Sequence, residues 1–261
     1  MYSFEYSKPA SIGEAESAVG EEAVLLAGGM TIIPTLKQRL ASPDQLIDLG
    51  GIGDLSGISV SGNTVTIGAM TTHAEVAASK EVAGAIPALA TLAEMIGDPA
   101  VRNRGTIGGS IANNDPAADY PAAVVGLGAT VKTNKREIAG DDFFTGLFET
   151  ALDEGEIVTS VSFPAPEKAG YSKFPNPASR YAVVGVFAAK TSNGARVAVT
   201  GAGPCVYRVG EMESALDGNW SADAVAGISA SADGLNEDIH ASAEYRAHLV
   251  TVMAKRAVAA S

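Results

Sequence analysis

The amino-acid sequence predicts an α+β fold divided into two or three subdomains, and three observations carry that expectation. The chain has 261 residues, 46 % hydrophobic and 18 % charged, which supplies apolar surface for a large core and too little charge for disorder. In the first two thirds, apolar runs of strand length alternate with segments that begin on helix-capping residues. A proline cluster, Pro164, Pro166, Pro175 and Pro177, then reads as an irregular boundary before a last third of strands and alanine-rich helices.

Taken in order, Ser11 and Glu14 have the spacing of a capping box and open a helix that ends near Gly20. Ala23 to Ala27 reads as a buried strand. Pro34 sits early in a helix that runs to about Leu40, where its missing N–H does no harm. Gln45 to Leu49 is a second strand, which completes a βαβ-like unit. From Ile58 the pattern changes: Val65, Ile67 and Ala69 alternate with Thr64, Thr66 and Gly68, as in a half-buried strand. Thr72–Ala78 and Ile86–Ile96 read as helices, and Asp115-Pro116 as the N-cap and first residue of another. Strands are expected at Ala129–Thr133, Ile157–Phe163, Ala182–Lys190 and Arg196–Thr200, with a closing helix at Tyr245–Ala259. The expected divisions are residues 1–57, 58–165 and 166–261.

Two glycine pairs concentrate the chemistry: Leu26-Ala27-Gly28-Gly29-Met30-Thr31 and Gly105-Thr106-Ile107-Gly108-Gly109-Ser110. Without Cβ atoms the backbone can turn at positive φ and approach a ligand, and successive N–H groups can converge on an anion. Two such loops fit one ligand with two phosphates; two tight structural turns are the alternative. Neither loop contains Lys or Arg, so a phosphate held there depends on backbone amides. The net charge of −12 argues against nucleic acid or an anionic membrane as the main partner. Cys205 is the only cysteine, which excludes an intrachain disulfide and a thiolate-held iron–sulfur cluster in this chain alone. His73, His240 and His248 are too scattered for a zinc site, and no metal site is expected. No leader peptide or membrane span is evident, so a cytoplasmic location is expected.

Other motifs carry less. Gly201-Ala202-Gly203 follows a strand, but Val206 stands where a dinucleotide fingerprint needs its third glycine, and Gly51-Ile52-Gly53 fails in the same way. Both read as turns. Asp141-Asp142 reads as solvated surface, and nothing pairs Cys205 with a histidine as a nucleophile.

The string Thr106-Ile107-Gly108-Gly109-Ser110-Ile111-Ala112-Asn113-Asn114-Asp115-Pro116-Ala117-Ala118-Asp119-Tyr120-Pro121 resembles the signature of the FAD-binding medium subunits of molybdenum hydroxylases. These belong to enzymes of the xanthine dehydrogenase and aerobic carbon monoxide dehydrogenase type. Leu25–Pro34 is similar to that family's first flavin loop, and Tyr171-Ser172-Lys173-Phe174 with Pro177–Ala182 to its third flavin segment. Glu244-Tyr245-Arg246 resembles its closing-helix signature. The motifs occur in family order along essentially the whole chain. Met30-Thr31 departs from the His-Ser common in carbon monoxide dehydrogenase medium subunits, although Thr31 still offers a hydroxyl.

The resemblance implies a two-lobed FAD-binding domain of the vanillyl alcohol oxidase type, followed by a C-terminal domain of sheet plus helices. FAD would lie extended between the lobes, with the glycine loops on opposite sides of its pyrophosphate. The implied cofactor-binding residues are Leu26, Ala27, Gly28, Gly29, Met30, Thr31 and Ile32 in the first loop. The second segment contributes Thr106, Ile107, Gly108, Gly109, Ser110, Ile111, Asn114, Asp115 and Asp119. Ile96, Val158, Tyr171 and Lys173 complete the set, with Ile96, Ile111 and Tyr171 around the flavin ring and the Asp119 carboxylate free to accept from a flavin hydroxyl. No catalytic residue is implied in this chain. In the family, substrate is oxidised at a molybdopterin cofactor in a large subunit, and electrons pass through [2Fe–2S] centres of a small subunit to FAD and on to an external acceptor. The implied assembly is a dimer of heterotrimers, cytoplasmic or held on the inner face of the membrane through the complex. A stand-alone FAD-dependent oxidase or reductase would need a substrate base, and none is evident. A subunit that had lost FAD would show eroded loops, yet both glycine pairs are intact.

Overall fold

The computed structural model describes all 261 residues. Its first lobe is a parallel sheet of order β1-β3-β2, from β1 (Glu5–Ser7), β2 (Ala23–Leu26) and β3 (Gln45–Asp48). Helices α1 (Ile12–Ala18) and α2 (Ile32–Lys37) connect the strands. Ser11 accepts from the Glu14 amide, as its position predicts, but Glu14 reaches back to the Ala10 amide rather than to that of Ser11. Strand β1 escaped the sequence reading, because three residues of mixed polarity show no period and only pairing with β3 defines them.

The second lobe is an antiparallel sheet of order β4-β5-β10-β6-β7: β4 (Ile58–Ser61), β5 (Thr64–Gly68), β6 (Thr130–Thr133), β7 (Glu137–Ala139) and β10 (Val158–Pro164). Between β5 and β6 lie helices α3 (His73–Ala78), α4 (Lys80–Ala85), α5 (Pro87–Glu94), α6 (Pro99–Arg102), α7 (Ile107–Asn113) and α8 (Tyr120–Gly126). A full capping box forms at Thr72 and Glu75. Short α9 (Gly140–Phe143) leads into the hairpin β8 (Phe144–Gly146) and β9 (Glu149–Thr150).

The third sheet is antiparallel, in sequential order β11 (Lys168–Pro175), β12 (Ala182–Thr191), β13 (Gly194–Thr200) and β14 (Tyr207–Arg208). Helices α10 (Gly210–Gly218) and α11 (Ala243–Ala259) follow. The irregular boundary expected over residues 164–177 is corrected here. The prolines only bracket β11, an edge strand whose terminal Pro175 interrupts no central ladder. Strand β12 is buried continuously over its first eight residues because the sheet is covered on both faces. Phe187 and Ala189 join the core of the second lobe, while Val184, Val186 and Ala188 pack with Leu249, Val250 and Met253 of α11. The C-terminal sheet therefore shares a 32-residue core with the second lobe. Each large apolar side chain in it contributes about 1.5–3 kcal/mol of transfer free energy.

Candidate functional site

The first glycine segment connects β2 to α2. Gly29 has φ 78°, a conformation that L side chains rarely adopt. This turn leaves five successive amides, those of Gly28, Gly29, Met30, Thr31 and Ile32, without a protein acceptor. The Thr31 hydroxyl makes no capping bond either. A run of unpaired amides can receive an anion without any basic side chain. Leu26 lies behind it in a small core with Leu36 and Leu46.

The second glycine segment is built differently. The expected loop is the N-cap and first turn of α7: Thr106 caps the helix by accepting from Gly109, and Gly108 and Gly109 are already helical. The Ile107 and Gly108 amides donate to the Thr71 and Ala69 carbonyls at 3.1 and 2.8 Å. They are consumed internally, so the expectation of two equivalent amide cradles is corrected. The segment instead forms a wall against the first loop. A Cβ on Gly28 would stand 2.6 Å from the Arg104 carbonyl carbon and 2.8 Å from the Gly105 Cα; one on Gly109 would stand 3.1 Å from the Ala27 Cβ. The Ser110 hydroxyl, half-buried, remains without a protein partner.

Behind this wall, His73 is buried against Tyr120, with ring centroids 5.3 Å apart and its Nδ1 unpartnered. Burial, reinforced by Arg102, lowers its pKa from the ordinary 6.5 to about 4. Ile107 and Ile111 are fully enclosed in the core, and Val158 is nearly so at the start of β10. The placement of Ile111 beside a flavin ring is corrected accordingly: its side chain faces the core. Asn114, in a left-handed C-cap, donates from Nδ2 to the Gly146 and Glu149 carbonyls and so ties α7 to the β8–β9 hairpin.

The expected helix start at Asp115 is also corrected. Asp115 Oδ1 accepts from the Ala117 amide and its carbonyl from Ala118, which closes a tight turn, and α8 begins only at Tyr120. Asp119 is therefore the N-cap residue of α8, and its carboxylate is not free. Tyr171 donates its phenol to Asp119 Oδ1 at 2.5 Å, and the Lys173 ammonium lies 2.9 Å from the same oxygen. Lys173 also donates to the Met95 carbonyl at 2.7 Å. All three side chains are buried. Burial pushes the Asp119 carboxyl up, while Lys173 and Tyr171 pull it back; the Tyr171 phenol is raised by burial and by Asp119. Tyr171 packs beside Phe187 and is only 5 % exposed, so it is a bonded core tyrosine.

Ile96 sits half-buried in a segment gripped from several sides. Arg102 donates to the Ile96 and Gly97 carbonyls, Arg180 to Gly97, and Lys173 to Met95. The segment carrying Arg180 leads to Tyr181, 46 % exposed, whose phenol is raised by partial burial and by Asp115 and Asp119. Tyr181 thus offers the exposed aromatic ring expected of Tyr171. The sequence signal was the motif Arg180-Tyr181 itself, which does not reveal which tyrosine faces out. No helix is long and apolar enough to cross a membrane, and no three His, Cys, Asp or Glu side chains converge as a metal site would need.

The architecture is that of a flavin-carrying oxidoreductase subunit, as comparison with known proteins shows. Residues 2–166 match the FAD binding domain in molybdopterin dehydrogenase, and residues 170–261 the CO dehydrogenase flavoprotein C-terminal domain. The chain belongs to the family of FAD-binding medium subunits of molybdenum hydroxylases. It is 35 % identical to the carbon monoxide dehydrogenase medium chain of Hydrogenophaga pseudoflava, covering 99 % of this chain and 96 % of that one. It is 34 % identical to the nicotine 6-hydroxylase medium subunit of Paenarthrobacter nicotinovorans, covering 97 % and 95 %. Among solved structures, a chain of quinoline 2-oxidoreductase from Pseudomonas putida 86 superposes with a TM-score of 0.88 at 29 % identity, covering 99 % of this chain and 96 % of that one.

Proposed function

We propose that this chain binds one FAD non-covalently and acts as the electron-exit subunit of a molybdenum hydroxylase, assembled with a large molybdopterin-binding subunit and a small [2Fe–2S] subunit. The observation that carries the reading is the run of five unpaired amides from Gly28 to Ile32, walled by the backbone of Arg104 and Gly105. Bound FAD supplies the capacity to take electrons singly from iron–sulfur centres and deliver them in pairs to an external acceptor.

The residues of this chain bind and shield. The Gly28–Ile32 amides hold the pyrophosphate, supported by the Thr31 and Ser110 hydroxyls. Asp119 and Lys173, buried and bonded to one another, to Tyr171 and to the Met95 carbonyl, act from behind the site by fixing the start of α8 and the segment that carries Ile96. Ile96 and Tyr181 flank the ring and limit water. Cys205 is the single thiol and belongs to the C-terminal domain, which supports metal centres on partner chains. Near-full-length coverage of the carbon monoxide dehydrogenase and nicotine 6-hydroxylase medium subunits supports assembly into a multi-subunit complex, for which the reading is a dimer of heterotrimers in the cytoplasm.

The purified chain, supplied with FAD, is expected to retain one flavin per chain by the flavin's visible absorbance. Acid precipitation is expected to release all of it, since neither glycine segment contains a nucleophilic His or Cys. A chain that takes up no flavin, or keeps it through acid, would refute the reading.

A further inference from the structure

We infer that Thr200, in the C-terminal domain, is a positioning residue for the Asp115–Asp119 segment of the flavin site, with Tyr171 as its partner in that role. The inference rests on the proposed FAD reading and extends it to residues outside the flavin motifs.

The segment between α7 and α8 has no regular structure to hold it. Its only internal bonds are the turn closed by Asp115. Three successive carbonyls are instead received by the ends of β12 and β13. The Gly201 amide donates to Pro116 at 2.8 Å and the Ala182 amide to Ala117 at 3.2 Å. Thr200 Oγ1 lies 2.6 Å from the Ala118 carbonyl and 3.1 Å from that of Pro116. Thr200 is 1 % exposed, so water cannot replace its hydroxyl.

The side chain that ends the segment is gripped from the same sheet. The Tyr171 phenol reaches Asp119 through space that Gly185 leaves: a Cβ on Gly185 would stand 2.5 Å from that phenol oxygen and 3.0 Å from the Thr200 Cγ2. A glycine in the middle of a buried strand costs stability, and clearance for this phenol and the neighbouring threonine accounts for it. The strand ends are themselves fixed. Arg246 of α11, buried, donates from one nitrogen to the carbonyls of Val183 and Gly201 at 2.7 and 3.0 Å, and from the other to Asp238. The closing-helix motif thereby acts on the flavin site through the backbone of β12 and β13. One template, in the C-terminal domain, sets where Asp119 and Lys173 stand.

The test uses the full-length chain and FAD titration, with the thermal midpoint of each flavin-free variant measured alongside. Thr200→Val places a methyl group where the Ala118 carbonyl now accepts at 2.6 Å and forces that carbonyl away. It is expected to weaken FAD at least tenfold, and Thr200→Ser, which restores the hydroxyl, to bind within threefold of the parent. A Thr200→Val chain that binds FAD like the parent, or a Thr200→Ser chain as weak as Thr200→Val, overturns the inference. Should Thr200→Val fail to fold, Tyr171→Phe decides, because it keeps the ring and removes only the bond to Asp119. Weaker FAD, measured below the thermal midpoint of the variant so that the chain is folded, supports the template, and unchanged FAD overturns it. If the parent chain itself takes up no FAD, the functional reading fails first, an outcome distinct from these.

Discussion

Replacement of Gly28 by alanine tests the wall between the glycine segments directly. The new Cβ would meet the Arg104 carbonyl carbon at 2.6 Å and the Gly105 Cα at 2.8 Å, with the Arg104 oxygen closer still. Carbon atoms rest at about 3.5–4.0 Å, so the segments must part by roughly 1 Å. Neither side can yield cheaply. The obstructing atoms are backbone, and the Gly105 carbonyl and the Ile107 and Gly108 amides are bonded to His73, Thr71 and Ala69. Overpacking of this kind costs about 1–3 kcal/mol, which for a chain of this size lowers the thermal midpoint by about 2–10 °C. The larger effect falls on the cofactor, since the five amides and their wall lose register by a distance comparable to the tolerance of a hydrogen bond. FAD affinity is expected to drop at least tenfold by fluorescence titration. Gly13→Ala is the control: no atom lies within 4 Å of its Cβ, and it sits in α1, where alanine gains about 0.5–1 kcal/mol. A Gly28→Ala chain with the parent's midpoint and FAD affinity would show that the two segments do not form one site.

Three further outcomes follow from the same geometry. Gly109→Val, whose Cβ would lie 3.0 Å from the Thr106 hydroxyl and 3.1 Å from Ala27, is expected to lose most bound flavin while the chain stays folded, checked by flavin-to-protein ratio and circular dichroism. His73 stays neutral in the folded chain down to about pH 4 but protonates near 6.5 when unfolded, so stability is complete above pH 6.5 and falls as pH drops through that window. Urea unfolding is expected to show about 2 kcal/mol lost from this group by pH 5, and His73→Leu to remove that slope. Glu156 accepts from Arg136, Thr133 and the Asp153 amide, which hold its carboxyl down at about 2. Glu156→Ala is expected to cost about 1–3 kcal/mol in urea unfolding, because Thr133 and the Asp153 amide lose their acceptor while half-exposed Arg136 regains water.

Much of the fold was legible from local pattern. Alternation placed β5, capping residues placed α1 and α3, and the continuous apolar run from Ala182 to Ala189 placed β12. The family resemblance was legible because Gly28-Gly29 and Thr106–Asp119 are contiguous strings. By itself the sequence determined the family and the cofactor class, and the absence of Lys and Arg from both glycine segments limits any anion donors there to backbone amides and hydroxyls. Tertiary structure alone decided the rest. Gly28 and Gly109 look alike in sequence, yet one lines a cradle of free amides and the other is a helical residue packed on Ala27. Asp119 reads as a free carboxylate until β11 brings Tyr171 and Lys173 onto it across more than 50 residues. Thr200, Gly185 and Tyr181 carry no local signal, because hydrogen-bond partners, clearance and exposure are properties of the packed sheet. A residue's type limits what it can bond; which neighbour takes that bond is settled only when distant strands close over it.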